Sequence, residues 1–247
     1  MAQVAYLENE GIKIARGMVK DTSHIHRTGS RAVGALGSSG TDELIWQSSA
    51  NTDIYWPTTA YVANVSSSSA SDTAVTLTVK GLDSNWNSIS ETVRLNGTST
   101  VSTTNTFIRV ESVINTSNTA TIGAVAVKQN GSYVTNFLPA AQPRGLRAVY
   151  SVPAANTAYL TKFDATIAGT SSGNITVLVY AKDNTLNNGT GGQWVIYHVC
   201  RIASGSHDYE FPVPLKFTEK TDIKFVVNCA TASVGIACNY DIILVQN

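Results

Sequence analysis

The chain has 247 residues, enough for two ordinary domains or one large β-domain. Only 14% of them are charged, against roughly a quarter in ordinary globular proteins, and the formal net charge is zero. That balance excludes the basic face on which nucleic-acid binding depends, and it leaves a neutral Ser/Thr/Asn-rich surface suited to docking against neighbours.

The first 60 residues differ from the rest. The opening MAQVAYLENEGIKIARG carries Glu8 and Glu10 where a signal peptide needs basic and then apolar residues. The following GMVKDTSHIHRTGSRAVGALGSSGTDELIWQSS has neither a helical period nor clean alternation, and Gly29, Gly34, Gly37 and Gly40 interrupt it. Yet Ile12, Ile14, Ile25, Leu44, Ile45, Trp46, Tyr55 and Trp56 give it apolar anchors that solvated tails lack. The expectation is an extended N-terminal arm over 1–60, lying on its own domain or on a neighbour.

From 61 to 138 the pattern turns to β. Val75, Leu77 and Val79 alternate with Thr76, Thr78 and Lys80, so one face is apolar and the other polar. After a turn at 81–88, Ile89, Val93 and Leu95 share one parity, with Glu91 the exception. Asn130-Gly131 predicts a tight hairpin turn, because both central positions of a type I′ turn need positive φ. These segments predict a first β-sandwich of six or seven strands.

LPAAQPRG places two prolines and a glycine between two β-rich regions, so 139–145 reads as a linker. Over 146–247, seven or eight strand-like segments recur at sandwich spacing, with 186–193 (LNNGTGGQ) as a flexible loop between two of them. No helix longer than 10 residues is expected. The fold class is all-β: an arm, then two antiparallel β-sandwich domains, the second jelly-roll-like. A first domain of about 80 residues is marginal alone, so packing against the arm, the other sandwich or another subunit is expected.

Cys200, Cys229 and Cys238 lie in separate apolar segments without zinc-knuckle spacing and read as buried, reduced thiols. No apolar run approaches the roughly 20 residues that span a bilayer. No membrane partner and folding in a reducing cytoplasm are the expectations.

The search for chemistry is brief. DSNWN (83–87) has the Asp-x-Asn-x-Asn rhythm that opens a calcium loop, but a calcium loop also needs Gly at its sixth position and a bidentate carboxylate at its twelfth. Ser88 and Arg94 stand there instead, so a β-turn shaped by Asp83, Asn85 and Asn87 is the favoured reading. His24-x-His26 lacks a third and fourth metal ligand nearby and reads as two interface or solvent-facing histidines. Nucleophile elbows, zinc-protease helices and phosphate loops are absent from the sequence, and Asp208 with Glu210 alternates along a single segment. No enzyme activity, cofactor or metal is expected. Trp46, Trp56 and Trp86 fall in loop contexts, where aromatics anchor protein contacts or stack on sugars, whereas Trp194 reads as core; Trp86 either packs against the arm or second domain or touches a neighbour.

GLDSNWNSISETVRLNGTSTVSTTNTFIRVESV (81–113) is similar to a segment recurring in virion-associated structural proteins of marine tailed bacteriophages. HIHRTG (24–29), ELIWQ (43–47) and IYWP (54–57) agree in order upstream, and 148–167 and the ending TDIKFVV…YDIILVQN resemble the same proteins' second domain. Lys80, Arg94, Gln142 and Arg144 depart from the common pattern. The resemblance implies a particle component, most simply a capsid decoration or cement protein at the capsid surface, assembled in the host cytoplasm. Its partners would be the major capsid protein and copies of itself, as a homo-oligomer such as a trimer. A tail, neck or head-fibre part and an adhesin for host-surface glycans are the alternatives. Expected interaction residues are Ile12, Ile14, His24, His26, Trp46, Tyr55, Trp56 and Trp86.

Overall fold

The alternation read at Val75–Lys80 is realised as a strand that buries Leu77 and Val79 and leaves Lys80 in solvent. Strands of this kind build almost everything in the computed structural model, which describes residues 10–31, 42–47, 53–168, 175–186, 191–202, 205–229 and 235–247. Among the described residues the only helix is α1 (Glu10–Ala15), so the chain is all-β. Residues 187–190, within the expected 186–193 loop, lie outside the described set, as do 1–9, 32–41 and 48–52 of the expected arm.

Seven strands form the first sandwich: β3 (Tyr61–Ser67), β4 (Thr76–Leu82), β5 (Ser88–Arg94), β6 (Val101–Phe107), β7 (Arg109–Asn115), β8 (Val125–Gln129) and β9 (Tyr133–Leu138). They pair in two antiparallel sheets, β6-β3-β8-β9 and β5-β4-β7, which close on a core that includes Val65, Leu77, Val79, Phe107 and Val127. The β8–β9 turn has Asn130 at φ 50° and Gly131 at φ 72°, the left-handed pair the sequence called for. Glu91 breaks parity on β5 because its carboxylate accepts the Thr104 and Asn105 N–H groups of β6, at 2.7 and 2.8 Å.

The second sandwich takes β10 (Val149–Ser151), β11 (Asn156–Ala168), β12 (Ile175–Asp183), β13 (Val195–Ile202), β14 (Ser206–Phe217), β15 (Thr221–Cys229) and β16 (Gly235–Gln246). It also takes β1 (Thr22–Arg31) and β2 (Glu43–Leu44). One sheet runs β1-β16-β11-β14 and the other β10-β15-β12-β13 with β2 also paired to β15, the strand order of a jelly roll. Between them lie Leu160, Phe163, Val177, Phe217, Phe225, Tyr240 and Ile242, all essentially inaccessible. Cys200, Cys229 and Cys238 are buried in this interior.

The segment expected to lie as an extended arm is therefore partly a structural strand. β1 pairs with β16 along its whole length, from Thr22 opposite Val245 to Arg31 opposite Ile236. Gly29 makes this close fit: a Cβ there would stand 2.5 Å from the Ala148 Cβ and 2.6 Å from the Ile45 carbonyl oxygen. β2 lies against the same edge of β15 as β10, with Glu43 and Leu44 opposite Val227 and Val226, and Val149 to Ser151 opposite Lys224 to Asp222. Where they meet, the Ile45 N–H bonds to the Phe225 carbonyl and the Ala148 N–H to the Ile45 carbonyl. The first sandwich is thus inserted into one edge strand of the second, and its two connections leave side by side through a Trp46–Arg147 bridge.

Candidate interaction surfaces and the junction between sandwiches

Arg109 at the start of β7 and Asp222 on β15 join the two sandwiches. Both are buried, with Asp222 fully inaccessible. Arg109 Nε and Nη2 bind the two Asp222 oxygens at 2.8 and 2.6 Å, a fork-to-fork geometry. Its Nη1 donates to the Pro57 and Ile108 carbonyls at 2.6 and 2.7 Å. Asp222 also accepts the Ser151 hydroxyl and the Asn184 amide, each at 2.7 Å. Trp56 and Trp86 stand over the guanidinium at 5.5 and 4.8 Å, adding cation–π attraction where water is excluded.

This geometry settles the DSNWN turn. Asp83 Oδ1 accepts the Asn85 and Asn87 N–H groups at 2.8 and 2.9 Å, and the Trp86 N–H bonds to the Asp83 carbonyl. The turn puts Trp86 at φ 66°, which swings its ring inward onto Leu82, Ile108 and Ala154. Trp86, expected either to pack on the arm or second domain or to touch a neighbour, is buried between the sandwiches, held by the Arg109 charge and by its own carbonyl on the Ala154 N–H. Trp46, expected as an interaction residue of the arm, is instead internal, being 1% exposed among Leu44, Ile54, Val149 and Val226. Trp56 is half-buried in the same cluster. Trp194, expected as core within a strand, precedes β13 and is half-buried, edge-on to Trp56 at 5.0 Å with the Lys224 ammonium 4.6 Å from its ring.

A second polar group sits beside this junction. Glu111 on β7 is buried, and neither carboxylate oxygen meets a hydrogen-bond donor, since the nearby Ser151 hydroxyl is turned to Asp222. Burial pushes the Glu111 carboxyl up, offset in part by the Arg147 and Arg27 charges. Arg147 is tied to the first sandwich through the Val110 and Thr135 carbonyls at 2.7 and 2.9 Å.

Of the expected interaction residues, Ile12, Ile14, His24, His26 and Tyr55 reach the surface. α1 lies beside β1, and a groove of about 590 Å³ between them and the outer face of the sheet is lined by Ile14, His24, Lys162, Phe211, Pro212 and Asp241. Ile12 projects beyond it, half in solvent, and Met18 does the same after the helix. His24 Nε2 and His26 Nδ1 converge on one oxygen, Asp241 Oδ1, at 2.9 and 2.8 Å. Period-two spacing put the two rings on one face, and β16 supplied the carboxylate. Among the described residues no group of three or more His, Cys, Asp or Glu is arranged to hold a metal ion. On the first sandwich Tyr55 stacks on Tyr133 with centroids 4.5 Å apart, a partly exposed aromatic ledge. Sequence reasoning missed Tyr133, Asp241 and the Arg109–Asp222 pair. Charges inside the apolar runs IRV and DIKFVV were the available sign of the last.

No protein family matches the chain, and no curated protein matches its sequence. Among solved structures it is similar to the T13 particle of infectious bursal disease virus at 11% identity and a TM-score of 0.27, covering 91% of this chain and 69% of that one. The Gt strain of that virus gives 11% and 0.27, covering 92% and 73%. Its VP2 subviral particle gives 11% and 0.26, also covering 92% and 73%. Likeness at this level assigns neither a family nor a function.

Proposed function

We propose that the chain is a non-enzymatic structural component of a bacteriophage particle, a decoration protein that clasps major capsid subunits through its N-terminal segment. The observation that carries this reading is the pairing of an apolar foot with a firm anchor. α1 and the residues after it present Ile12 and Met18 to solvent, each more than half exposed, beside the Ile14 groove. The ten-residue β1 ladder immediately behind ties that foot to the jelly-roll sheet. Pulling on the foot loads a ladder in shear, so a modest contact is held without the tether giving way.

The resemblance to virion-associated proteins supports the same reading, as does a neutral surface that lets many copies crowd without repulsion. Each clasp then needs to contribute only a few kcal/mol, because many copies on one particle add by avidity. The sandwiches would project from the capsid or bridge its subunits. The experiment is particle binding by Ile12→Asp with Met18→Asp, together with copy number by quantitative mass analysis. Hundreds of copies, and loss of binding in the variant with an unchanged melting curve, are expected. A copy number of about 3 to 18, the range of closed tail rings, would move the protein to the tail or neck. Full binding by the variant would remove the foot from the mechanism.

The Tyr55–Tyr133 ledge favours one other reading, a glycan-binding adhesin, since exposed aromatic faces stack on sugars. A glycan array with Tyr133→Ala as control tests it, and no binding by the wild-type protein would end it.

A further inference from the structure

A cleft of about 450 Å³ opens where β1 and β10 of the jelly roll meet β4 and β5 of the first sandwich. Period-two spacing turns Ser23, Ile25 and Arg27 of β1 to one wall, and Lys80, Leu82, Ser88 and Ser90 form the other. Pro153 and Leu244 add apolar surface. The volume falls within the roughly 300–1,000 Å³ of small-molecule sites. Arg27 is the unusual member. Its guanidinium stands 5.9 Å from the Tyr150 ring centre, and its Nε is buried with no acceptor. Among the described residues no hydrogen bond or ion pair engages the group, so its fork is open.

The carboxylate in this corner does not close that fork. A bulge in β7 leaves Glu111 without a cross-strand partner, since Val110 lies opposite Gly81 and Ser112 opposite Lys80. Val110 and Val113 thus both enter the core of the first sandwich, while Glu111 turns away from it, toward the jelly roll. Its two oxygens are inaccessible and bond nothing, so Glu111 contributes a buried charge to the cleft floor and not a contact. Arg147, fixed on the Val110 and Thr135 carbonyls, offsets that charge in part. The charged ends that reach the cleft are those of Arg27 and Lys80, and both are positive.

We propose that this cleft binds a small carboxylate on a hydroxylated body, a sugar acid in type, with the carboxylate on the Arg27 fork. A guanidinium offers parallel N–H donors that match a carboxylate, and the Tyr150 ring holds the group in place. Lys80 adds attraction from the opposite wall. The exposed Ser23, Ser88 and Ser90 hydroxyls can each donate to and accept from ring hydroxyls. Leu82, Pro153 and Leu244 face the ligand's C–H surface. The buried Glu111 charge selects for a singly charged ligand: a carboxylate carries one negative charge, a phosphate monoester about 1.5 to 2, and each is repelled in proportion. The site stands apart from the particle role, because it lies within one chain.

Titration of the isotope-labelled full chain with galacturonate, followed by amide chemical shifts, tests the site, with glucose and glycerol phosphate as neutral and doubly charged controls. A dissociation constant on the order of 1 mM is expected, with both controls at least about tenfold weaker. Arg27→Gln should weaken binding at least about tenfold. Ser90→Trp, at an exposed position where folding is not at stake, should block entry to the same degree. Glu111→Gln should narrow the gap between galacturonate and glycerol phosphate, and an unchanged gap would refute selection by that charge. Tyr133→Ala, on the aromatic ledge, should leave binding unaltered. No binding up to about 50 mM, either control binding as tightly, or wild-type binding in both Arg27→Gln and Ser90→Trp overturns the proposal. Loss of binding in Tyr133→Ala overturns it too, by moving the sugar to the ledge.

Discussion

Replacing Asp222 by Ala removes the acceptor on which the two sandwiches meet. Four donors lose an acceptor: Arg109 Nε and Nη2, the Ser151 hydroxyl and the Asn184 amide, the last of which keeps the Lys220 carbonyl. Hydrogen bonds to a charged group contribute about 1.5–3 kcal/mol each, but these four share one site and do not add. The governing quantity is the guanidinium left in a buried place, for which loss of one partner costs about 3–5 kcal/mol. Arg109 keeps the Pro57 and Ile108 carbonyls and two tryptophan faces, which holds the loss near the lower end of that range. Urea unfolding followed by tryptophan fluorescence reads the change, because Trp56 and Trp86 both touch the pair. Asp222→Ala should lower stability by about 3 kcal/mol, and Arg109→Met with Asp222→Leu should recover much of it. A loss under about 1 kcal/mol, or a double variant worse than the single one, would mean that the junction is wet and the pair screened.

Asp72 gives a pH prediction. Burial alone would lift its carboxyl, but hydrogen bonds from the Ile122 N–H, the Ser67 hydroxyl and the Gly123 N–H outweigh it and hold the group below the usual carboxylate range. Its contribution is therefore present above the ordinary aspartate value and is lost as pH falls through the lowered one. Asp72→Asn should be less stable than wild type near pH 7 by about 1–3 kcal/mol, with the gap closing in acid; a gap independent of pH refutes this. Glu111 has the opposite sign: its raised carboxyl stabilises most below the ordinary glutamate value, and that contribution fades as pH rises through the folded value. Glu111→Gln should flatten the fall in stability that sets in as pH rises above the ordinary glutamate value, and an identical fall in both proteins would count against it. Deletion of residues 1–31 removes β1 and bares β16, so the truncated chain should aggregate or lose its cooperative melt; a wild-type melt would show β1 to be dispensable.

How far the sequence spoke depends on whether a residue's partner was near it. Thr76 to Lys80 alternates because both faces of β4 have fixed surroundings, and Asn130-Gly131 announces its turn because φ is a local property. β1 lies in the segment expected as an arm, which lacks a helical period or clean alternation, and its strand character comes from β16 more than two hundred residues away. Composition cannot register such a pairing. The interaction residues divided along the same line. His24 and His26 could be placed on one face from spacing, but their shared Asp241 could not. Trp46 and Trp86 looked exposed because loops usually are, and an inserted sandwich turned those loops into interior.

The insertion also orders events during synthesis. Thr22 leaves the ribosome more than two hundred residues before its partner Val245 is made. At roughly 5–20 residues per second, β1 waits about 10–45 s with its edge and side chains unsatisfied. The inserted sandwich, by contrast, has all its strands between Tyr61 and Leu138 and can close while the rest is still emerging. The nascent chain is thus a finished small domain carried between two halves of an unfinished one. Until β16 arrives, the exposed half-sheet is the species most open to mispairing with a neighbouring nascent chain.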